Sequence, residues 1–215
     1  MRKTGVHWLQ ILVHVSVLTP LAWLAWDFAQ GQLTANPIQE IQLRTGRYTL
    51  TLLVLTLACT PVYSVFGLKQ ALVLRRLLGL YTFAYASLHF LNFVGLDYGF
   101  DFALIWQDIA GKRFVVAGFA AFLILLTLAI TSSSGWKKRL GENWKRVQRL
   151  IYAAALLGAL HFVWQAKADL GVPLIYTGII VLLLVVRIPK IAKVIRIPGK
   201  WMKRQQIDQS LVDEI

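Results

Sequence analysis

The sequence predicts an all-α integral membrane protein, a six-transmembrane-helix bundle with both termini cytoplasmic. Three observations predict it. First, of 215 residues 57% are hydrophobic and only 15% charged, whereas a soluble domain carries about 25% charged residues. Second, six apolar stretches each approach the roughly 20 residues that cross a hydrocarbon core about 30 Å thick. Third, the 23 Lys and Arg are distributed unequally between the loops. The composition excludes an ordinary soluble enzyme, and it excludes a disordered chain, which needs low hydrophobicity. The net charge of +13 on so apolar a chain points to a membrane surface and not to nucleic acid. Cys59 is the single cysteine, which rules out an internal disulfide and a multi-cysteine metal site. No two acidic residues share an apolar stretch, so a buried carboxylate dyad is not expected.

The six spans run near Val6–Phe28, Tyr48–Gly67, Leu72–Leu96, Phe114–Thr131, Leu150–Ala166 and Val172–Val186. The first is too long for the apolar region of a signal peptide and has no clean small-residue cleavage site after it, so it reads as a retained span. The third begins with Arg75 and Arg76, so its apolar stretch starts a turn later. With the N-terminus inside, the inner segments hold the cations at 2–3, 69–76, 137–149 and 187–204, eighteen in all. The outer loops hold five: Arg44, Arg47, Lys112, Arg113 and Lys167. Such an excess of inner cations fixes both termini in the cytoplasm. The tryptophans form two belts, Trp23, Trp26, Trp106 and Trp164 outside and Trp8, Trp136, Trp144 and Trp201 inside, read first as lipid anchors. No tandem repeat or low-complexity stretch interrupts the chain.

Ionisable residues inside a span are costly and usually functional. His89 lies eight residues before Asp97, roughly 12 Å below the outer boundary. His161 lies six residues before Lys167, roughly 9 Å below it. Both spans run in the same direction, so two imidazoles from different helices sit at nearly the same depth. That arrangement suits axial ligation of one haem. The competing reading is that each histidine hydrogen-bonds a neighbouring backbone. Zinc normally needs three or four protein ligands, and only His14, roughly 20 Å from the outer boundary, is a further candidate ligand or cofactor contact. His7 sits at the inner flank. Anionic propionates favour cations near the interface, which makes Arg44, Arg47, Lys112 and Arg113 candidates, with plain headgroup contact as the alternative.

Several motifs carry a family resemblance. Asn36-Pro37-Ile38-Gln39-Glu40-Ile41 with Thr45-Gly46-Arg47, Arg75-Arg76-Leu77-Leu78-Gly79-Leu80 leading to Leu88-His89, and Leu140-Gly141-x-x-Trp144 followed by Tyr152 and His161-Phe162-x-Trp164 resemble the haem-binding membrane subunit of methionine sulfoxide reductase systems, the MsrQ family. The wider group is the ferric-reductase-like transmembrane domain. The resemblance spans residues 7 to 190, and it implies a haem-binding domain over 1–190 followed by a basic cytoplasmic tail, 191–215. It implies a b-type cytochrome of the bacterial inner membrane, with His89 and His161 at the haem-ligand positions. Such a subunit passes electrons to a periplasmic molybdopterin-containing methionine sulfoxide reductase, supporting repair of oxidised envelope proteins. Its donor is the quinone pool or a cytosolic flavin reductase, and FMN has been ascribed to the family.

One departure from the family matters. Its members commonly carry another histidine thirteen residues before the first on the fifth span. Here that position is Gln148, and thirteen residues before His89 stands Arg76. Gln is a poor haem ligand and permanently cationic Arg is none, which argues against a second, inner haem. Arg75, Arg76, Gln148 and His14 are where an inner flavin or quinone is sought. The basic loop 136–149 suits either an acidic flavoprotein or lipid phosphate. The chain ends some 30 residues after the sixth span without a flavin or nicotinamide domain, so a self-contained ferric reductase is not expected. A metal or quinone reductase on the same scaffold and a non-redox membrane protein are the alternatives. Transporters more often show inverted repeats and helices broken at midplane, and neither is visible here.

Overall fold

The computed structural model describes residues 3–166, 169–188 and 191. All regular structure among them is helical. The order is α1 (Lys3–Ala29), α2 (Pro37–Phe66), α3 (Lys69–Leu91), a π-helical segment (Asn92–Asp97), α4 (Phe102–Gly111), α5 (Arg113–Ile130), α6 (Ser134–Leu140), α7 (Asn143–Gln148), α8 (Ile151–Gln165) and α9 (Gly171–Val185). The expected tail from residue 192 onward lies outside the described residues, as do Lys167 and Trp201.

Five segments are long and apolar enough to cross a membrane: His7–Ala29, Pro37–Phe66, Lys69–Asp97, Arg113–Ile130 and Asn143–Gln165. The sixth expected span is the shorter apolar helix Gly171–Val185. These helices expose large apolar side chains, Trp8, Trp23, Trp26, Phe66 and Leu182 among them. Water would penalise such a surface and hydrocarbon does not.

Local chemistry sets the element boundaries. Asn36 caps α2 by accepting from the Gln39 N–H at 3.1 Å, and Pro37 opens it, where a missing N–H costs nothing. The helix therefore begins eleven residues before the expected start of its span at Tyr48. It stops at Gly67, whose φ of 69° is left-handed and whose N–H donates to the Tyr63 carbonyl, a glycine-favouring C-terminal cap. The segment after α3 winds into a π-helix and continues through Gly99 and Phe100, both at positive φ. Asp101 then caps α4 by accepting from the Ala103 and Leu104 N–H groups.

Helices α2, α3, α5, α8 and α9 share one core of Leu50, Leu53, Leu57, Ala86, Leu125, Leu128, Ala154, Ala155, Ala159 and Ile180. Ala154 and Ala155 have no exposed surface. Small side chains let helices approach closely, which is how helices associate where hydrophobic exclusion gives no drive. A second cluster of Val17, Leu52, Cys59, Leu78 and Tyr85 joins α1 to α2 and α3. Tyr85 anchors that joint by donating to the Val17 carbonyl at 2.5 Å. The helices alternate in direction. The N-termini of α2 and α5 and the C-termini of α3 and α8 therefore meet at one end of the bundle, termed here the upper end.

Candidate haem site

The upper end holds a cavity of about 570 Å³ between α2, α3, α5 and α8, within the usual range for ligand sites. His89 from α3 and His161 from α8 both line it. Their ring centres are 6.1 Å apart and their planes stand at 88°. The His89 Nδ1–H donates to the Gln42 carbonyl at 2.9 Å, and the His161 Nδ1–H donates to the Phe114 carbonyl at 2.7 Å. A carbonyl can only accept, so each Nδ1 carries the proton and each Nε2 is left with its lone pair. This second hydrogen bond is the usual way a protein fixes the tautomer of a metal-binding histidine.

Two glycines make the space for these rings. A Cβ at Gly46 would stand 2.9 Å from the His89 Cε1, and one at Gly118 would stand 2.6 Å from the His161 Nδ1. Neither site tolerates a side chain without displacing its imidazole. Phe90, Phe119 and Phe122 form one apolar wall, with Phe90 and Phe122 stacked at 4.5 Å.

The donor set decides what such a cavity accepts. Among the described residues no group of three or more His, Cys, Asp or Glu could hold a bare metal ion. A metal here has two imidazoles and needs its remaining donors from elsewhere, which a tetrapyrrole supplies. Two imidazoles with ring centres 6.1 Å apart would supply the protein donors that a tetrapyrrole-bound metal still lacks. The residues present therefore fit a haem.

The other sequence candidates separate into two groups. Arg47 and Lys112 line the cavity with the histidines. Arg44 sits beside it, held by Asp27 at 2.5 Å and Glu40 at 2.5 Å, and so ties the end of α1 to α2. Arg113 is exposed and does not line the cavity. His14 pairs instead with the Tyr81 hydroxyl at 2.5 Å, at the contact of α1 with α3. Arg76 is exposed near the lower end. Gln148 donates to Thr131 Oγ1 at 3.0 Å and to the Leu128 carbonyl at 3.4 Å, tying α7 to the end of α5. Trp144, expected as a lipid anchor, donates its indole N–H to the Thr131 carbonyl at 2.9 Å. Depth and charge along the sequence do not point to Gln42, Gly46 or Gly118.

Tyr98 and Asp108 also line the cavity. The Tyr98 hydroxyl and the Lys112 ammonium both donate to the Asp108 carboxylate. Desolvation works against that carboxylate, but the two hydrogen bonds and the Lys112 charge hold its pKa below the ordinary value. Desolvation and the carboxylate together push the Tyr98 hydroxyl well up. A depressed carboxylate pKa stabilises the fold above the unfolded value of 3.8 and loses that contribution as pH falls through the folded pKa. The segment between Tyr98 and Lys112 is therefore expected to loosen selectively below about pH 4. Amide hydrogen exchange across pH, corrected for intrinsic rates, checks this. Asp108→Asn should remove the transition.

Residues 45–159 match the family described as ferric reductase like transmembrane component. The chain is 43% identical over 180 residues to the protein-methionine-sulfoxide reductase heme-binding subunit MsrQ of Rhodospirillum rubrum, covering 83% of this chain and 86% of the relative. It is 44% identical over 178 residues to the subunit of the same name from Xanthomonas campestris, covering 80% and 82%. The chain belongs to the MsrQ family. In this MsrQ-family chain the matched region runs from Thr45, beside Gly46, to Ala159, two residues before His161. It takes in α3 with His89 and the whole of α5 with Gly118. Most of the cavity lining thus falls inside the matched region, and the multi-pass membrane character follows from the family.

Proposed function

We propose that this chain is a b-type cytochrome of the bacterial inner membrane, holding one haem between His89 and His161 and passing electrons outward to a periplasmic molybdopterin-containing methionine sulfoxide reductase. The observation that carries the proposal is the pair of imidazoles 6.1 Å apart in one cavity, each held at Nδ1 by a backbone carbonyl and each backed by a glycine. When bound, haem supplies a one-electron ferric–ferrous couple near one face of the membrane. His89 and His161 hold it. The phenylalanine wall keeps water away. Arg47 brings a cation to the cavity lining, which suits it to an anionic propionate, whereas the Lys112 ammonium on the same lining is held by Asp108. Arg44 is already engaged by two carboxylates and serves the α1–α2 joint.

The topology belongs to the same proposal. Gly171–Val185 completes six spans, both termini face the cytoplasm, residues 1–190 form the haem domain and 191–215 its basic tail. This puts the upper end on the periplasmic side, close to the partner. Electrons enter from the quinone pool or from a cytosolic flavin reductase carrying FMN. Gln148 is committed to Thr131 and Leu128, which supports a single haem.

A reconstituted assay tests the function. Chain reduced in proteoliposomes by a membrane quinol should be reoxidised by added methionine sulfoxide only when the molybdopterin reductase is present outside. Reoxidation that ignores the reductase would overturn the proposed partner.

A further inference from the structure

Gln42 touches both nitrogens of the His89 ring. Its carbonyl accepts from Nδ1, and its side-chain Nε2 lies 3.3 Å from the ring Nε2. With Nδ1 protonated, that ring Nε2 is an acceptor and the Gln42 NH2 group donates to it. The nitrogen a metal needs is therefore covered by an amide.

Three residues beyond His89, Asn92 is 4% exposed and opens the π-helical segment, a local geometry found often at functional sites. Its Nδ2 donates to the Ile38 carbonyl at 3.2 Å and to Gln42 Oε1 at 2.5 Å. Its Oδ1 is buried without a hydrogen-bond partner. Exchanging the two ends of the amide would set oxygen against the two acceptors, so the orphan belongs to the arrangement. Buried amide oxygens are nearly always paired, and this one stands on the side chain that already grips Gln42.

The two anomalies complement each other. A donor must leave His89 Nε2 if that atom is to bind metal, and an unpaired acceptor waits beside it. We propose that Gln42 is a two-position latch on the haem site, capping His89 Nε2 when the site is empty and giving its NH2 group to Asn92 Oδ1 when the site is filled. In the second position Gln42 Oε1 keeps the Asn92 Nδ2 hydrogen. The two amides then form a reciprocal pair with no orphan atom. The latch shields a polar nitrogen inside an apolar bundle before loading, and it removes the buried unpaired oxygen afterwards. This rests on the reading that His89 holds haem.

Haemin capture and release by full-length, haem-depleted protein test it, followed by the rise and decay of the Soret band. Gln42→Met and Gln42→Leu lose the donor and place no ionisable group beside His89. Both should capture haemin about fivefold faster, as expected for removing one ordinary hydrogen bond from the empty state. Asn92→Leu removes the second resting place and should speed haemin release about fivefold without slowing capture. General damage to the fold would not separate the two rates in this way. Unchanged capture in both Gln42 variants overturns the latch alone. A parent protein that takes up no haemin overturns the haem reading together with it.

Discussion

His161→Ala and His89→Ala are each expected to abolish the Soret band of the isolated protein. Among the described residues, His89 and His161 are the only histidines that line the cavity. Losing one would leave a bound porphyrin iron with a single protein donor. Haem affinity should fall by about 100-fold or more, since even residues that merely orient a ligand are worth 10–100-fold. The absorbance spectrum checks this, and free imidazole added to the His161→Ala protein should restore some of the band. His7→Ala and His14→Ala should keep the full band. His7 is exposed, and His14 is engaged by Tyr81 away from the cavity. A retained band in either ligand variant would show the ligand to be misassigned.

Gly118→Ala carries the second large effect. The added Cβ would come within 2.6 Å of the His161 Nδ1 and 2.8 Å of its Cε1. The ring cannot simply swing aside, because its Nδ1–H is tied to the Phe114 carbonyl. Overpacking of this kind typically costs about 1–3 kcal/mol, which is about a 5- to 150-fold loss of haem affinity. Gly46→Ala, at 2.9 Å from His89, should do the same more mildly. Gly111→Ala and Gly135→Ala meet nothing within 4 Å and should leave haem binding unchanged. Haemin titration of the four variants gives the ranking.

The contrast between the histidines and the glycines shows what one sequence reveals. His89 and His161 are legible because the membrane converts position along a span into depth, and two equal depths can be read without a structure. Gly46 and Gly118 are not. Nothing in their local sequence tells that each faces an imidazole from a helix distant in the chain. Gln42 is hidden for the same reason. Its role depends on its carbonyl meeting α3, a contact that neither charge nor periodicity encodes.

Hydropathy reveals the helical bundle but not its ends. It places the start of the second span at Tyr48, whereas the Asn36 cap and Pro37 begin the helix at the previous loop. The stretch from Asn92 to Gly111 mixes apolar and acidic residues, and it resolves into a π-turn, two positive-φ residues and a short capped helix. Charge alone makes Arg44 and Arg47 equivalent propionate candidates. The structure separates them, because Arg44 meets Asp27 from α1, a contact between helices that no local pattern announces.

Chemical haem counting by pyridine haemochrome on the purified full-length protein tests the central claim most directly. One pair of imidazoles lining one cavity, with Gln148 and Arg76 in place of a second pair, predicts one protohaem per chain. A colourless folded protein from haem-replete cells, or a value of two, would contradict it.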